Sequence, residues 1–283
     1  MKGRINKKNS KKEIPYKLYY WLTGIIIFLS VLFFFRTSLI MYYYIIKEKL
    51  AIGEFGNVNF QKSIKISEAE KIQAVFKKYK NYAFGLDISQ HQGKILWDSV
   101  QDIHKDIPVS FVFVRATRGA FTQDAFFKKN WKNLTKKKIL KGAYHYYDVN
   151  RNSTLQAENF IKTVTLNRGD LPPVLDVEDL PKNQSLELLK SGLINWLNIV
   201  EKNYNVKPII YSNDSYFIYH ISDLDLSEYI IWTANYNPIE SPLHQKWIFW
   251  QFTEKGIVKG FTQNFVDINV FNGSIEELQR LTL

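Results

Sequence analysis

The 283-residue chain contains no cysteine, which excludes disulfides, thiolate zinc sites and a cysteine nucleophile. Gly (13), Pro (8) and Met (2) are scarce, and hydrophobic residues (46%) outnumber charged ones (23%) two to one. A disordered or collagen-like chain is therefore excluded. Histidine occurs only 5 times, without an H-E-x-x-H pair, and neither a glycine-rich phosphate loop nor a G-x-S-x-G elbow is present. Acids are in deficit, with 27 Asp and Glu against 38 Lys and Arg, a net charge of +11. An excess of this size raises nucleic acid as a partner unless it is local.

It is local. Residues 1–50 hold ten Lys/Arg and two acids, +8 of the +11, whereas residues 51–283 carry 28 against 25. No nucleic-acid partner is expected. Behind the basic residues at 2–17 lie eighteen uncharged positions, 18–35, LYYWLTGIIIFLSVLFFF, then Arg36 and TSLIMYYYII. At about 1.5 Å per residue such a helix spans a hydrocarbon core of roughly 30 Å. A cleaved signal peptide would need an A-x-A-like pair after Phe35, and none follows. The expectation is a basic cytoplasmic tail (1–17), a transmembrane anchor (18–40) and an exported remainder, oriented by the seven Lys/Arg ahead of the span. Arg36 and the tyrosines at 42–44 suit the outer interface. Residues 41–82 read as a stalk carrying one helix that packs on the domain: Ser67 and Glu70 have capping-box spacing, and Ile72, Val75, Phe76 and Tyr79 form an apolar stripe.

Residues 83–283 form one domain with eight short apolar or aromatic runs, at 83–89, 111–117, 140–147, 173–178, 208–212, 229–234, 247–253 and 265–271. Amphipathic stretches at 122–138, 153–166 and 184–203 separate the early runs, the pattern of parallel βα units. The later intervals are different. Residues 235–246 contain Pro238 and Pro242, and 254–264 is too short for a helical crossover, so the last strands are expected to be joined by loops or hairpins. The fold class is α/β, an irregular TIM-like (β/α) barrel.

In such a barrel the strand C-termini carry the chemistry. Those positions hold Asp87 (FGLDIS), Asp176 with Glu178 (PPVLDVED) and Asp267 (NFVDINVF), carboxylates in apolar runs where burial is costly unless they are partnered or used. Asp176 and Glu178, two apart on a strand, leave the same face about 6.5–7 Å apart, while Leu175 and Val177 point toward the helices. Neighbouring carboxylates cannot easily both ionise, which places a protonated acid beside an anion. Glycosidic cleavage needs that division of labour. An isolated D-x-E more often marks a helix-capping strand end, and a Mg²⁺ or Mn²⁺ site is a further alternative.

At these residues the sequence resembles the glycoside hydrolase family 25 lysozymes, N-acetylmuramidases, along essentially all of 84–274. FGLDISQHQGKILWDSV is similar to the family's opening segment and FVFVRATRGAFTQDAFFKKNW to its second strand and helix. GAYHYY, LPPVLDVED, KPIIYSN, IIWTANYN, WIFWQFTEKGIVKGF and VDINVFNGS follow in the family's order. The resemblance implies a modified β/α barrel with Glu178 as general acid, Asp176 as its partner and Asp87 and Asp267 as further acids. It also implies cleavage of the β-1,4 bond between N-acetylmuramic acid and N-acetylglucosamine in peptidoglycan, with substrate assistance and net retention favoured. No cofactor or metal is expected, and a monomer is. One departure is Arg118, in ATRG, where the family usually has an acid. It leaves open a non-catalytic or weakly active glycan-binding homologue as the alternative.

Sugar rings stack on aromatic faces, for which Tyr147, Tyr211, Trp232, Tyr236 and Trp250 are candidates, with Tyr211 and Trp232 best placed at strand ends. Gln251 is expected to bond sugar hydroxyls or Asp267. His145 is expected at the barrel mouth beside a carboxylate, and His91 as a brace of the first loop.

Overall fold

The computed structural model describes residues 67–236, 247–261 and 265–283. The tail, the anchor and most of the stalk lie outside the described residues. Among the described residues no helix is long and apolar enough to cross a membrane. Residues 66–283 form a compact unit.

All eight apolar runs are strands: β1 (Phe84–Ile88), β2 (Phe111–Arg118), β3 (Leu140–Tyr146), β4 (Val174–Asp176), β5 (Ile209–Asn213), β6 (Ile230–Ala234), β7 (Trp247–Gly256) and β8 (Val266–Phe271). They pair in the order β1-β8-β7-β6-β5-β4-β3-β2, and β2 closes the barrel on β1. Every pairing is parallel except those of β8, which runs antiparallel to both β7 and β1. The hairpin expected at the end of the chain is therefore the place where the regular barrel breaks.

Among the described residues six α-helices accompany the strands: α1 (Glu68–Lys78), α2 (Phe127–Lys137), α3 (Ser153–Thr163), α4 (Leu186–Tyr204), α5 (Asp214–Tyr219) and α6 (Ile275–Gln279). Ser185 caps α4 by accepting from the Leu188 N–H, and Leu189, Leu193, Trp196, Leu197 and Val200 recur at helical spacing on its buried face. The Ser67–Glu70 capping box of α1 is formed. Phe76 of α1 packs edge-on to Phe84 and Phe252, and Tyr79 to Trp247 and Trp250. Thus α1 covers outer faces of β1 and β7, next to the hairpin that brings no crossover helix of its own. A sheet face that apolar must be covered by something.

Two hydrophobic layers result. The outer one, between strands and helices, contains Leu86, Val112, Val114, Leu175, Val177, Ile210 and Ile268. The inner one fills the barrel with Phe111, Phe113, Val174, Ile209, Trp232, Phe249 and Phe271, closed below by Leu278 of α6. Phe113 stacks on Trp232 with centroids 4.6 Å apart. Interior rings of this size need gaps opposite them. A Cβ on Gly142 would lie 2.5 Å from the Phe113 ring, and one on Gly85 2.5 Å from Phe111. Gly142→Ala should therefore destabilise the barrel by about 1–3 kcal/mol through overpacking, even though alanine is normally the better strand residue. The urea midpoint should fall with an unchanged m-value; an unchanged midpoint would show that the interior has room.

Candidate active site

Above the aromatic layer, the next inward positions are polar. Inward parity runs Gly85 to Asp87, Phe113 to Arg115, Val174 to Asp176, Phe249 to Gln251 and Phe271 back to Asn269 and Asp267. Asp87, Arg115, Asp176, Gln251 and Asp267 reach a cavity of about 330 Å³ together with Tyr144, Tyr146, Glu178, Tyr211, Trp232 and Tyr236. It lies at the C-terminal ends of the parallel strands, but Asp267, expected at a strand C-terminus, enters it from the N-terminal start of β8 because that strand runs antiparallel. All four acids expected from the sequence share the cavity.

Register explains the deepest contact. Asp87 of β1 stands directly opposite Asp267 of β8 across the antiparallel pair. Burial, then the charge of Asp87, pushes the Asp267 carboxyl up to about 9, so at neutral pH it holds its proton. Asp87 is also raised by burial, against the lowering effect of hydrogen bonds from Asn269, Gln251 and Asp267. Its Oδ2 accepts from Gln251 Nε2 at 2.8 Å and from Asn269 Nδ2 at 2.8 Å. Asn269 Oδ1 in turn accepts from the Trp232 indole N–H at 2.8 Å.

Gln251 carries the network to the mouth. Its Oε1 accepts from the hydroxyls of Tyr211 (3.0 Å) and Tyr236 (2.7 Å). Tyr211 also lies in hydrogen-bond reach of Glu178. One hydroxyl proton cannot serve both acceptors, so Tyr211 donates either to Gln251 or to an ionised Glu178, and the second arrangement favours the Glu178 charge. Glu178 is open to solvent at the rim. The surrounding protein still disfavours its charge: desolvation raises its pKa, the Tyr211 hydrogen bond opposes, and the charge of Asp87 adds to the rise. Asp176 is buried, and burial followed by the charges of Glu178 and Asp87 raises it well above the usual carboxylate range. Its Oδ1 has no hydrogen-bond partner among the described residues. A buried carboxyl oxygen with an unfilled bond is costly unless a ligand fills it.

Tyr211, Trp232 and Gln251 line the cavity as expected, although Trp232 is a buried floor held between Phe113 and Tyr211, and the carboxylate partner of Gln251 is Asp87 rather than Asp267. His145 and Tyr147 do not line it. Gly142 faces inward, so Tyr144 and Tyr146 do as well, and the residues between them point out under the helices. His145 is fully buried against Trp196, with Nδ1 2.7 Å from Thr117 Oγ1 and Nε2 3.1 Å from Gln156 Oε1. Because the amide oxygen only accepts, Nε2 carries the hydrogen. Burial lowers the His145 pKa to about 4 and keeps the ring neutral. Tyr147 belongs to the same outer layer, as does Trp250, whose indole N–H donates to the Asn235 carbonyl at 2.7 Å. His91 sits in the 3-10 turn Gln90–Gln92 at the rim.

Sequence reasoning passed over Tyr144, Tyr146, Asn269 and Arg115. Arg115, a cation inside the run FVFVRAT, carried the same signal as the acids. It is buried and paired with Asp124 at 3.1 Å. Among the described residues no set of three or more His, Asp or Glu side chains is arranged to hold a metal ion.

The raised Asp267 pKa has a consequence for stability. The folded state keeps a proton that the unfolded chain releases above about pH 4, so stability declines as pH rises from there toward 9. Asp267→Asn preserves a donor to Asp87 and removes this dependence. Its melting temperature should exceed that of the wild type increasingly from pH 4 to 9, by roughly 2–4 °C per kcal/mol. A constant difference across that range would refute the shared-proton arrangement.

Residues 86–261 match the family described as Glycosyl hydrolases family 25, a segment that includes Asp87, Asp176 and Glu178. The chain is 38% identical over 199 residues to the Escherichia coli K12 protein named "Uncharacterized protein YegX", spanning 69% of this chain and 71% of that one. It is 30% identical over 211 residues to Lysozyme M1 of Streptomyces globisporus, covering 70% of each. Among solved structures, a family 25 glycosyl hydrolase from Bacillus anthracis superposes with a TM-score of 0.64 at 30% identity, over 72% of this chain and 95% of that one. The chain belongs to glycosyl hydrolase family 25 and is a glycoside hydrolase.

Proposed function

We propose that the protein is a peptidoglycan hydrolase, a muramidase that cleaves the β-1,4 bond between N-acetylmuramic acid and N-acetylglucosamine. The observation that carries the reading is the unfilled, buried Oδ1 of Asp176 beside Glu178 at the strand ends. Both sugars of that polymer carry a 2-acetamido group, whose N–H is the donor such an oxygen lacks.

The chemistry then divides between the two residues. Glu178, its pKa raised, donates its proton to the departing glycosidic oxygen. Asp176 accepts the acetamide N–H and turns the acetamide oxygen toward C1, where it attacks as the internal nucleophile. Water then opens the oxazolinium ring with Glu178 as base, and the configuration is retained. Asp87, the Asp267 proton, Gln251 and Asn269 hold Tyr211 and the floor of the pocket in place. Resemblance to Lysozyme M1 supports the same substrate class.

Glu178→Gln should reduce release of reducing ends from purified cell walls by about 10²–10⁴-fold while leaving the fold intact. Wild-type kcat/KM should fall on the alkaline side with a midpoint above the ordinary 4.5 of glutamic acid. Full activity of the variant, loss of wild-type activity in EDTA, or retention of glycan without new reducing ends would each overturn the proposal.

The uncharged segment at 18–35 behind seven basic residues supports a membrane location. It would anchor the chain with its N-terminus in the cytoplasm and its barrel facing the wall. Protease added to intact spheroplasts should digest the barrel; complete protection would contradict this orientation.

A further inference from the structure

A second cavity, of about 520 Å³, adjoins the acid-lined one, and His91 and Arg115 line both. Its other walls include Gln90 after β1, Arg118 at the end of β2, Phe121 in the turn that follows, and Asp148 and Arg151 in the loop after β3. The two cavities differ in charge. The first collects Asp87, Asp176, Glu178, Glu254 and Asp267 around Arg115. The second collects three arginines and two aspartates.

Those cations are not equally engaged. Arg115 is held by Asp124 inside the protein at 3.1 Å. Arg151 lies 3.6 Å from Asp148 at an exposed site, where such a pair contributes little and exchanges readily with water. Arg118 forms no ion pair among the described residues. Its guanidinium lies over the Tyr146 ring, 4.9 Å from the centroid, and Tyr146 is itself fixed by donating to Asp179 at 2.9 Å. A guanidinium held against a ring by its charge still has N–H donors for a ligand, and an arginine can receive a carboxylate through two parallel hydrogen bonds. Arg118 is thus oriented before any ligand arrives. Beside it, Phe121 presents a ring that is 79% exposed.

In a glycan of alternating N-acetylglucosamine and N-acetylmuramic acid, only the muramoyl unit carries an acid. Its O3 bears a lactyl ether whose carboxyl is either free or extended by a peptide with carboxylates of its own. We infer that the second cavity is a subsite for the carboxylate carried on O3 of a muramoyl unit, with Arg118 as its anchor, Arg151 as a second cation and Phe121 as an apolar wall for the adjoining methyl groups. The inference rests on the muramidase reading and deepens it. Arg118 becomes a specificity-determining residue that tells the two sugars apart by charge.

The test uses three forms of the glycan strand: with peptides intact, with peptides removed to leave free lactyl carboxylates, and with all carboxyls converted to methyl esters. Wild-type KM should be about tenfold lower on at least one charged form than on the esterified strand, a difference of about 1.4 kcal/mol. A preference for the peptide-free strand assigns the site to the lactyl group, and one confined to intact strands assigns it to the peptide. Arg118→Gln should raise KM on the preferred strand to the esterified value, and Arg118→Lys should restore part of the preference. Equal KM on charged and esterified strands, or an unchanged preference in Arg118→Gln, would overturn the subsite. If the wild type releases no reducing ends from any strand, it is the muramidase reading that fails. Calorimetric titration of Glu178→Gln with a soluble muramoyl disaccharide and its methyl ester then decides the subsite separately. Tighter binding of the acid, lost on adding Arg118→Gln, supports it; equal binding rejects it.

Discussion

The antiparallel seam between β1 and β8 sets the terms for the rest of the molecule. It closes the barrel and, in doing so, places Asp87 opposite Asp267. Two buried carboxylates at that range cannot both be charged, so a proton stays between them. The charge that remains on Asp87 is held by Gln251 and Asn269, and these amides position Tyr211, Tyr236 and Trp232. Were β8 parallel to its neighbours, Asp267, the second residue of that strand, would lie at the opposite end of the barrel from Asp87. The irregularity that the short final loops impose is therefore also the origin of the site's hydrogen-bond order.

Much of this was legible in the sequence because burial leaves a strong pattern. The eight strands are the eight apolar runs, and the four acids stood out because each interrupts one of them. The D-x-E spacing placed Asp176 and Glu178 on one wall, with Leu175 and Val177 on the other side, as the outer layer shows. Side-chain parity was less legible where the alternation of polarity fails. In GAYHYY every residue after Ala143 is aromatic or histidine, so nothing in the pattern tells inward from outward. What decides is Gly142, which must face the Phe113 ring; Tyr144 and Tyr146 follow it inward, and His145 and Tyr147 turn out. A register shift between Arg115 and Thr117 adds to the difficulty by pointing Arg115 into the site and Thr117 toward His145.

Charge asymmetry also reads differently at the level of the fold. The net charge of the chain is concentrated at its N-terminus, and the barrel region is nearly balanced. That balance hides two adjoining cavities of opposite character, which no composition average could reveal. They meet at Arg115 and His91, which line both.

Arg115 is where these opposite demands are reconciled. Its positive charge favours ionisation of Asp176, yet burial and the charges of Glu178 and Asp87 outweigh it. Asp124 bonds the Arg115 Nε at 3.1 Å and is itself held by the backbone N–H groups of Gln90 and Phe126. The cation facing the acids is thus already partly neutralised from the rear. Fixed by Asp124, Arg115 offsets part of the cost of a charge on Asp176, while Glu178 keeps a pKa raised by its own burial and by the charge of Asp87.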